Sequence, residues 1–286
     1  MVLTYNDLYL RCRRALRESG VAEDCALEAR VLLCHALGCS KEEFTARLKM
    51  YAGDAMAEKV RVLTERRIAG EPAAYITGSW EFYGLPILVD RSVLIPRMDT
   101  EVLVKTAADA LTGVKMNARI LDLCCGSGCV GCALGKLLPA ARLTLVDVSR
   151  DALAVARKNV ILNRLSARAV CLPADVLSPP PLRLGNFDLI VCNPPYVPTA
   201  ELETLDPSVR DWEPAMALDG GGDGLKFYRA VLKDWLSVLS DGGRVMFEVG
   251  EEQSLPVQEL MFHAELRGIG AVRDTAGTER VVYGRK

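Results

Sequence analysis

The chain has 286 residues, 50% of them hydrophobic and 25% charged, with a formal net charge of −2. That length holds two domains or one large one with a sizeable core, and that composition excludes disorder as the dominant state. So balanced a charge supplies no global basic field to draw the chain onto nucleic acid or anionic lipid.

The opening residues, Met1 to Asp7, lack the basic-then-apolar layout of a signal peptide, and no uncharged apolar run approaches the ~18 residues of a membrane span. The ten cysteines are scattered rather than arrayed, which reads as reduced, buried small residues. A cytoplasmic protein without membrane contact is expected.

Up to about residue 70 the pattern is helical. Leu8, Cys12, Ala15 and Leu16 recur at helical spacing behind the capping candidates Thr4 and Asn6. Ala29, Leu32, Leu33, Ala36 and Leu37 share one face of a second helix that stops at Gly38. Ser40-Lys41-Glu42-Glu43 reads as a capping box opening a third helix. A fourth is expected from Asp54 to Ile68, ended by Gly70-Glu71-Pro72. Residues 1–73 are therefore expected to form a small helical bundle. Trp80 to Val89 reads as two short strands around Gly84, so 74–97 is expected to be a β-hairpin linker, with a helix following Thr100.

From residue 119 apolar, strand-like runs alternate with helical stretches. The strand candidates are Arg119–Cys124, Arg142–Val148, Ala169–Leu172, Phe187–Cys192 and Arg244–Val249, with helices at Val130–Leu138 and Asp151–Leu162. Such alternation predicts a parallel sheet covered by helices on both faces over residues 98–286. Ala271–Asp274 and Arg280–Tyr283, around Ala276-Gly277-Thr278, are two further strands, too close in sequence to pair other than antiparallel.

Ile120 to Gly128 runs from a strand into a glycine-containing turn. In an open α/β sheet ligands bind at the carboxyl ends of strands, and Gly126 and Gly128 let backbone approach one closely. Asp147 ends the next strand, placed to accept hydrogen bonds from ribose hydroxyls or to cap the following helix. Both features serve NAD and S-adenosylmethionine alike, so they leave the cofactor open. Asp175 closes the third strand region, where it can meet an adenine amino group, with Val176 as an apolar wall.

Asn193-Pro194-Pro195-Tyr196 discriminates. An apolar strand delivers Asn193 to the sheet edge, and neither proline carries an N–H, so the local backbone presents carbonyl oxygens without competing donors. The Asn193 side-chain oxygen and the Pro194 carbonyl can accept both protons of a substrate NH₂ group. An amide or aromatic-amine nitrogen is a poor nucleophile because its lone pair is delocalised. Holding both N–H groups orients it and favours positive charge as attack on a sulfonium methyl begins. Tyr196 can cover the planar group and exclude water. Asn193 is no general base.

Cys129-Val130-Gly131-Cys132 has metal-ligand spacing, but with His35 and His263 the only histidines, no metal is expected and small helix residues packed on the sheet are the better account. Arg11, Arg13, Arg14 and Arg17 read as a solvated helix face.

Longer segments carry a likeness. They are Glu71-Pro72-Ala73-Ala74-Tyr75-Ile76-Thr77-Gly78, Phe82-Tyr83-Gly84-Leu85, Val93-Leu94-Ile95-Pro96-Arg97, Leu121-Asp122-Leu123 and Asn193-Pro194-Pro195-Tyr196. Glu213-Pro214-Ala215-Met216-Ala217-Leu218, Gly221-Gly222-Asp223-Gly224-Leu225, Glu248-Val249-Gly250 and Asp274-Thr275-Ala276-Gly277 complete the set. With them the chain resembles, over nearly its whole length, the bacterial protein-(glutamine-N5) methyltransferases that modify peptide chain release factors.

The resemblance implies an α/β fold: a seven-stranded, Rossmann-like class I methyltransferase sheet behind a small N-terminal helical bundle that docks the release factor. It implies S-adenosyl-L-methionine held by Cys124, Cys125, Gly126, Ser127, Gly128, Asp147, Asp175, Val176 and Asn193. The implied substrate is the glutamine of the release factor's Gly-Gly-Gln motif, methylated at Asn193, Pro194, Pro195 and Tyr196. A monomer acting on protein, without direct nucleic-acid contact, is expected. Two departures stand out: Cys124 replaces the family's usual glycine, and Met98-Asp99 its usual Pro-Glu. Cys124 is expected either to take ordinary L-residue dihedrals or to tolerate strain of about 1–3 kcal/mol. Two other readings are a nucleic-acid adenine or guanine N-methyltransferase, which lacks a basic target-recognition region, and an inactive cofactor-binding adaptor, with only Cys124 in its favour.

Overall fold

The computed structural model describes residues 3–115 and 117–286; Met1 and Val2, which open the expected helical domain, lie outside the described residues. The chain divides into two compact units, one made of the residues up to Ser79 with Asp206–Trp212, the other of Trp80–Leu205 with Glu213–Lys286.

In the first unit, α1 (Tyr5–Ser19) opens on a capping box: the Thr4 hydroxyl accepts the Asp7 N–H at 3.2 Å and the Asp7 carboxylate accepts the Thr4 N–H at 2.8 Å. Thr4, not Asn6, is thus the cap. β1 (Leu3–Thr4) pairs antiparallel with β2 (Tyr51–Ala52), strands too short to leave a sequence pattern. Asp24 caps α2 (Cys25–Leu37), and Gly38 ends it at φ 61°. Ser40 and Glu43 form the box that opens α3 (Lys41–Arg47), and α4 (Asp54–Ile68) follows. α5 (Ala73–Thr77), ended by Gly78 at φ 72°, lies where the pattern suggested linker; a single turn is too short for helical periodicity to register. Leu8, Cys12, Leu16, Ala29, Leu32, Leu33, Phe44, Leu63 and Ile76 form one core. Within it Arg67 is buried, its Nε donating to Glu28 at 2.6 Å.

The second unit opens at Trp80, within the first strand of a hairpin made of β3 (Ser79–Phe82) and β4 (Leu85–Leu88), and α6 (Thr100–Leu111) follows. β5 (Arg119–Leu123), α7 (Cys129–Leu137), β6 (Arg142–Asp147), α8 (Arg150–Leu162), β7 (Ala169–Pro173) and β8 (Phe187–Cys192) follow. α9 (Lys226–Asp234), β9 (Leu239–Glu248), α10 (Ser254–His263), β10 (Arg267–Arg273) and β11 (Glu279–Arg285) complete it. The seven-stranded sheet has the order β10-β11-β9-β8-β5-β6-β7. β7, β6, β5, β8 and β9 are parallel; β11 runs antiparallel to both its neighbours. Strand order reverses between β5 and β8, which opens a crevice at their carboxyl ends.

Two strands exceed their sequence pattern. β9 starts at Leu239 rather than Arg244, because its register against β8 shifts after Phe187↔Leu239, around the Gly242-Gly243 pair. β10 starts at Arg267, where Gly268 and Gly270 interrupt the apolar run. Leu121, Leu123, Ile190, Phe247 and Trp235 lie in the core of this unit, and the Trp235 indole N–H reaches the Val176 and Ser178 carbonyls, each at 3.0 Å. Among the described residues no helix is long and apolar enough to cross a membrane.

Candidate active site

One pocket lies at the carboxyl ends of β5, β6 and β8. Cys124, Cys125, Gly126, Ser127, Asp147, Asp175, Val176, Asn193 and Pro195 all line it; Gly128, Pro194 and Tyr196 do not. Gly128 serves packing instead: at φ 76° it opens α7, and a Cβ there would stand 2.8 Å from Leu145 Cδ2 and 3.2 Å from Ala156 Cβ.

The loop after β5 is strained. Cys124 sits at φ 54°, in the left-handed region, so of the two expected outcomes this chain takes the strained one, at a cost of about 1–2 kcal/mol. The turn is nevertheless pinned. Cys125 N–H donates to the Val146 carbonyl at 2.9 Å and Gly126 N–H to Asp147 Oδ2 at 2.8 Å. Asp147 Oδ1 accepts the Ser149 N–H at 2.9 Å, but the cap of α8 is Ser149, whose hydroxyl accepts the Ala152 N–H. The carboxylate of Asp147 therefore ties β6 to the loop, and each oxygen keeps a lone pair for a ligand hydroxyl. Burial pushes its carboxyl above the ordinary range.

Asp122, visible in the sequence only as part of a shared segment, also lines the pocket. It is 3% exposed, accepts the Gly131 N–H at 2.9 Å, and burial pushes it up to about 7. Gly131 fits closely there, since a Cβ would stand 3.0 Å from Asp122 Oδ2 and from Leu145 Cγ. Cys129 and Cys132 are buried free thiols on the same helix, and burial pushes Cys129 up to about 12. Asp175 is exposed, with Oδ1 accepting its own Leu177 N–H at 2.9 Å, while Val176 is buried.

Across the pocket stands Asn193, directly after Cys192, which pairs with Leu123 of β5. Asn193 Nδ2 donates to Thr100 Oγ1, the first residue of α6, at 3.3 Å. Among the described residues no donor takes Asn193 Oδ1 or the Pro194 carbonyl. Behind them the chain is clamped. The Tyr196 carbonyl accepts from Gln253 Nε2 at 2.8 Å, Val197 N–H donates to Leu218, and Gly220 N–H donates to Val197. A Cβ on Gly220 would stand 2.7 Å from Tyr196 Cα, so only glycine allows this approach. Tyr196 packs against the core rather than lining the pocket, and burial pushes its phenol up to about 12.

Two cross-links left no sequence pattern of their own. Glu213, 6% exposed, accepts the Ile95 N–H at 3.1 Å and pairs with the Arg97 guanidinium, which brings two distant shared segments together at the pocket wall. Asn159, fully buried on α8, accepts the Leu88 N–H at 2.7 Å and donates to the carbonyls of Leu88 and Ser127, both at 2.9 Å. It thereby joins the hairpin to the loop after β5.

Residues 98–206 match the family model of the methyltransferase small domain, and residues 7–78 that of the PrmC N-terminal domain. A release factor glutamine methyltransferase of Geobacter sulfurreducens is 40% identical over 275 residues, covering 96% of this chain and 93% of its own length. One of Caulobacter vibrioides is 36% identical over 289 residues, covering 100% and 98%. The solved structure of a methyltransferase from Pyrococcus furiosus aligns with a TM-score of 0.53 at 16% identity, over 80% of this chain and 98% of that one, a likeness of fold.

Proposed function

The chain belongs to the release factor glutamine methyltransferase family, and we propose that it transfers the methyl group of S-adenosyl-L-methionine to the side-chain amide nitrogen of the glutamine in a release factor's Gly-Gly-Gln motif. What supports this reading most is that Asn193 shares one pocket with Asp147 and the strained loop after β5.

The residues present suit that cofactor. Asp147 keeps lone pairs for ribose hydroxyls, the backbone turns at Cys124 and Gly126 give close approach, and Asp175 and Val176 suit an adenine edge and face. Bound there, the sulfonium supplies an already activated methyl. The chain's own residues then position the acceptor. Asn193 Oδ1 and the Pro194 carbonyl accept hydrogen bonds from the two amide N–H groups, hold the nitrogen in line and favour the positive charge that grows on it. Pro195 and the neighbouring walls keep water away. The helical unit docks the release factor, and the enzyme works as a cytoplasmic monomer on protein rather than on nucleic acid or membrane.

The test supplies labelled cofactor with a release factor, the same factor with its motif glutamine replaced, and a nucleic-acid pool. Label is expected on the intact factor alone. Label confined to nucleic acid rejects the reading.

A further inference from the structure

A primary amide is ambiguous. Turned by half a rotation, Asn193 would offer Nδ2–H donors to the substrate's own donors, so something must hold Oδ1 towards the pocket. Two side chains flank it, Thr100 at the start of α6 and Glu248 at the end of β9, and both are 2% exposed. Asn193 Nδ2 donates to Thr100 Oγ1 at 3.3 Å. Cys192 and Phe247 are partners in the sheet, so Asn193 and Glu248 leave neighbouring strands side by side; Thr100 and Asn193 act to lower the Glu248 carboxyl, and its Oε2 is without a partner among the described residues.

The donor and acceptor inventory leaves one arrangement. An ionised carboxylate only accepts, so the single Thr100 hydroxyl proton goes to Glu248 and the Thr100 oxygen is left to accept from Asn193. Nothing on this side can donate to Oδ1, which faces the pocket. We propose that Glu248, acting through Thr100, is the positioning residue that fixes the Asn193 amide with its oxygen towards the substrate. The inference rests on the role given to Asn193 under the proposed function. A carboxylate this buried is a burden to stability, since an apolar side chain would fill the site without leaving an oxygen unpaired. The orienting task accounts for its presence.

Protonation should relax the arrangement, because a neutral carboxyl can itself donate. Burial pushes Glu248 up to about 7, opposed by the hydrogen bond from Thr100 and the charge of Arg280 on β11, with Asp99 before α6 raising it. Arg280 is itself paired with Asp99 at 3.3 Å and Asp274 at 3.2 Å. The other titratable groups facing Glu248 are Tyr196 after β8, Tyr228 on α9 and Cys129 on α7. Burial raises all three above their ordinary range, so they stay neutral near pH 7. Turnover is then expected to rise with pH through about 7.

The experiment compares the full chain with Glu248→Gln, Thr100→Val and Thr100→Ser. Glu248→Gln and Thr100→Val are expected to lower kcat on a release factor by ~10- to 100-fold while the cofactor Kd stays within about twofold. Thr100→Ser, which keeps the hydroxyl, should retain about fivefold more activity than Thr100→Val, and the rise of kcat through pH 7 should vanish in Glu248→Gln. Without any substrate, the Asn193 side-chain amide protons should exchange faster with solvent in Glu248→Gln. Undiminished kcat in Glu248→Gln, or a loss matched in cofactor affinity and Tm, overturns the proposal. A wild-type chain that labels no glutamine fails the functional reading instead, and the amide exchange still decides the orientation.

Discussion

A single amide carries the chemistry proposed for this site. Asn193→Ala removes one of two acceptors that grip the substrate nitrogen, and is expected to lower kcat about 100-fold or more with cofactor affinity changed far less. Steady-state turnover close to the wild type would end the orienting role. Cys124 makes the opposite kind of prediction. Its left-handed φ of 54° strains an L-residue, so Cys124→Gly should relieve about 1–2 kcal/mol and leave cofactor affinity equal or higher, read by titration calorimetry. A large loss would mean that the thiol itself touches the cofactor. The residue type at 124 was plain in the sequence, but its dihedral was not, because the neighbouring turn decides whether strain is relieved locally or borne.

Elements hold these residues at fixed distances. α8 announces itself by an apolar stripe, yet its fully buried Asn159 joins β4 to the loop after β5 through three hydrogen bonds. Asn159→Ala leaves the Leu88 N–H and the Leu88 and Ser127 carbonyls without that partner, and is expected to lower unfolding free energy by about 2–4 kcal/mol in a denaturant titration. A change under about 0.5 kcal/mol would show that these groups find other partners. Caps and helix faces were legible because they are local: Thr4, Ser40 and Gly38 act within a turn of themselves. α5, β1 and the register shift in β9 were not, since each is shorter than the pattern that would reveal it.

At the scale of the whole molecule, two buried acids shape the response to pH. Asp122 and Glu248 both rise to about 7, from ordinary values of 3.8 and 4.5, chiefly because burial penalises their charged forms. The folded chain therefore keeps protons that the unfolded chain has released. Their contribution to stability is fully present below the unfolded values and is lost as pH rises through about 7. The Tm is expected to fall between pH 5 and pH 8, and Glu248→Gln to flatten that fall. A Tm that climbs over this range would contradict the burial of both carboxyls in their neutral forms.

The order of residues was enough to determine the alternation of strands and helices, the antiparallel last pair and the prolines that leave Asn193 beside bare carbonyls, because these follow from periodicity and local chemistry. It also carried Ile95-Pro96-Arg97 and Glu213-Pro214 as separate motifs. Folding alone made them one feature, an ion pair between Arg97 and Glu213 that brings the two segments together at the pocket wall. The same holds for Thr100, Asn193 and Glu248, three polar residues far apart in the chain whose mutual orientation depends on which strands lie side by side. Burial gives such contacts their strength, and burial is a property of the packed sheet and helices rather than of any one segment.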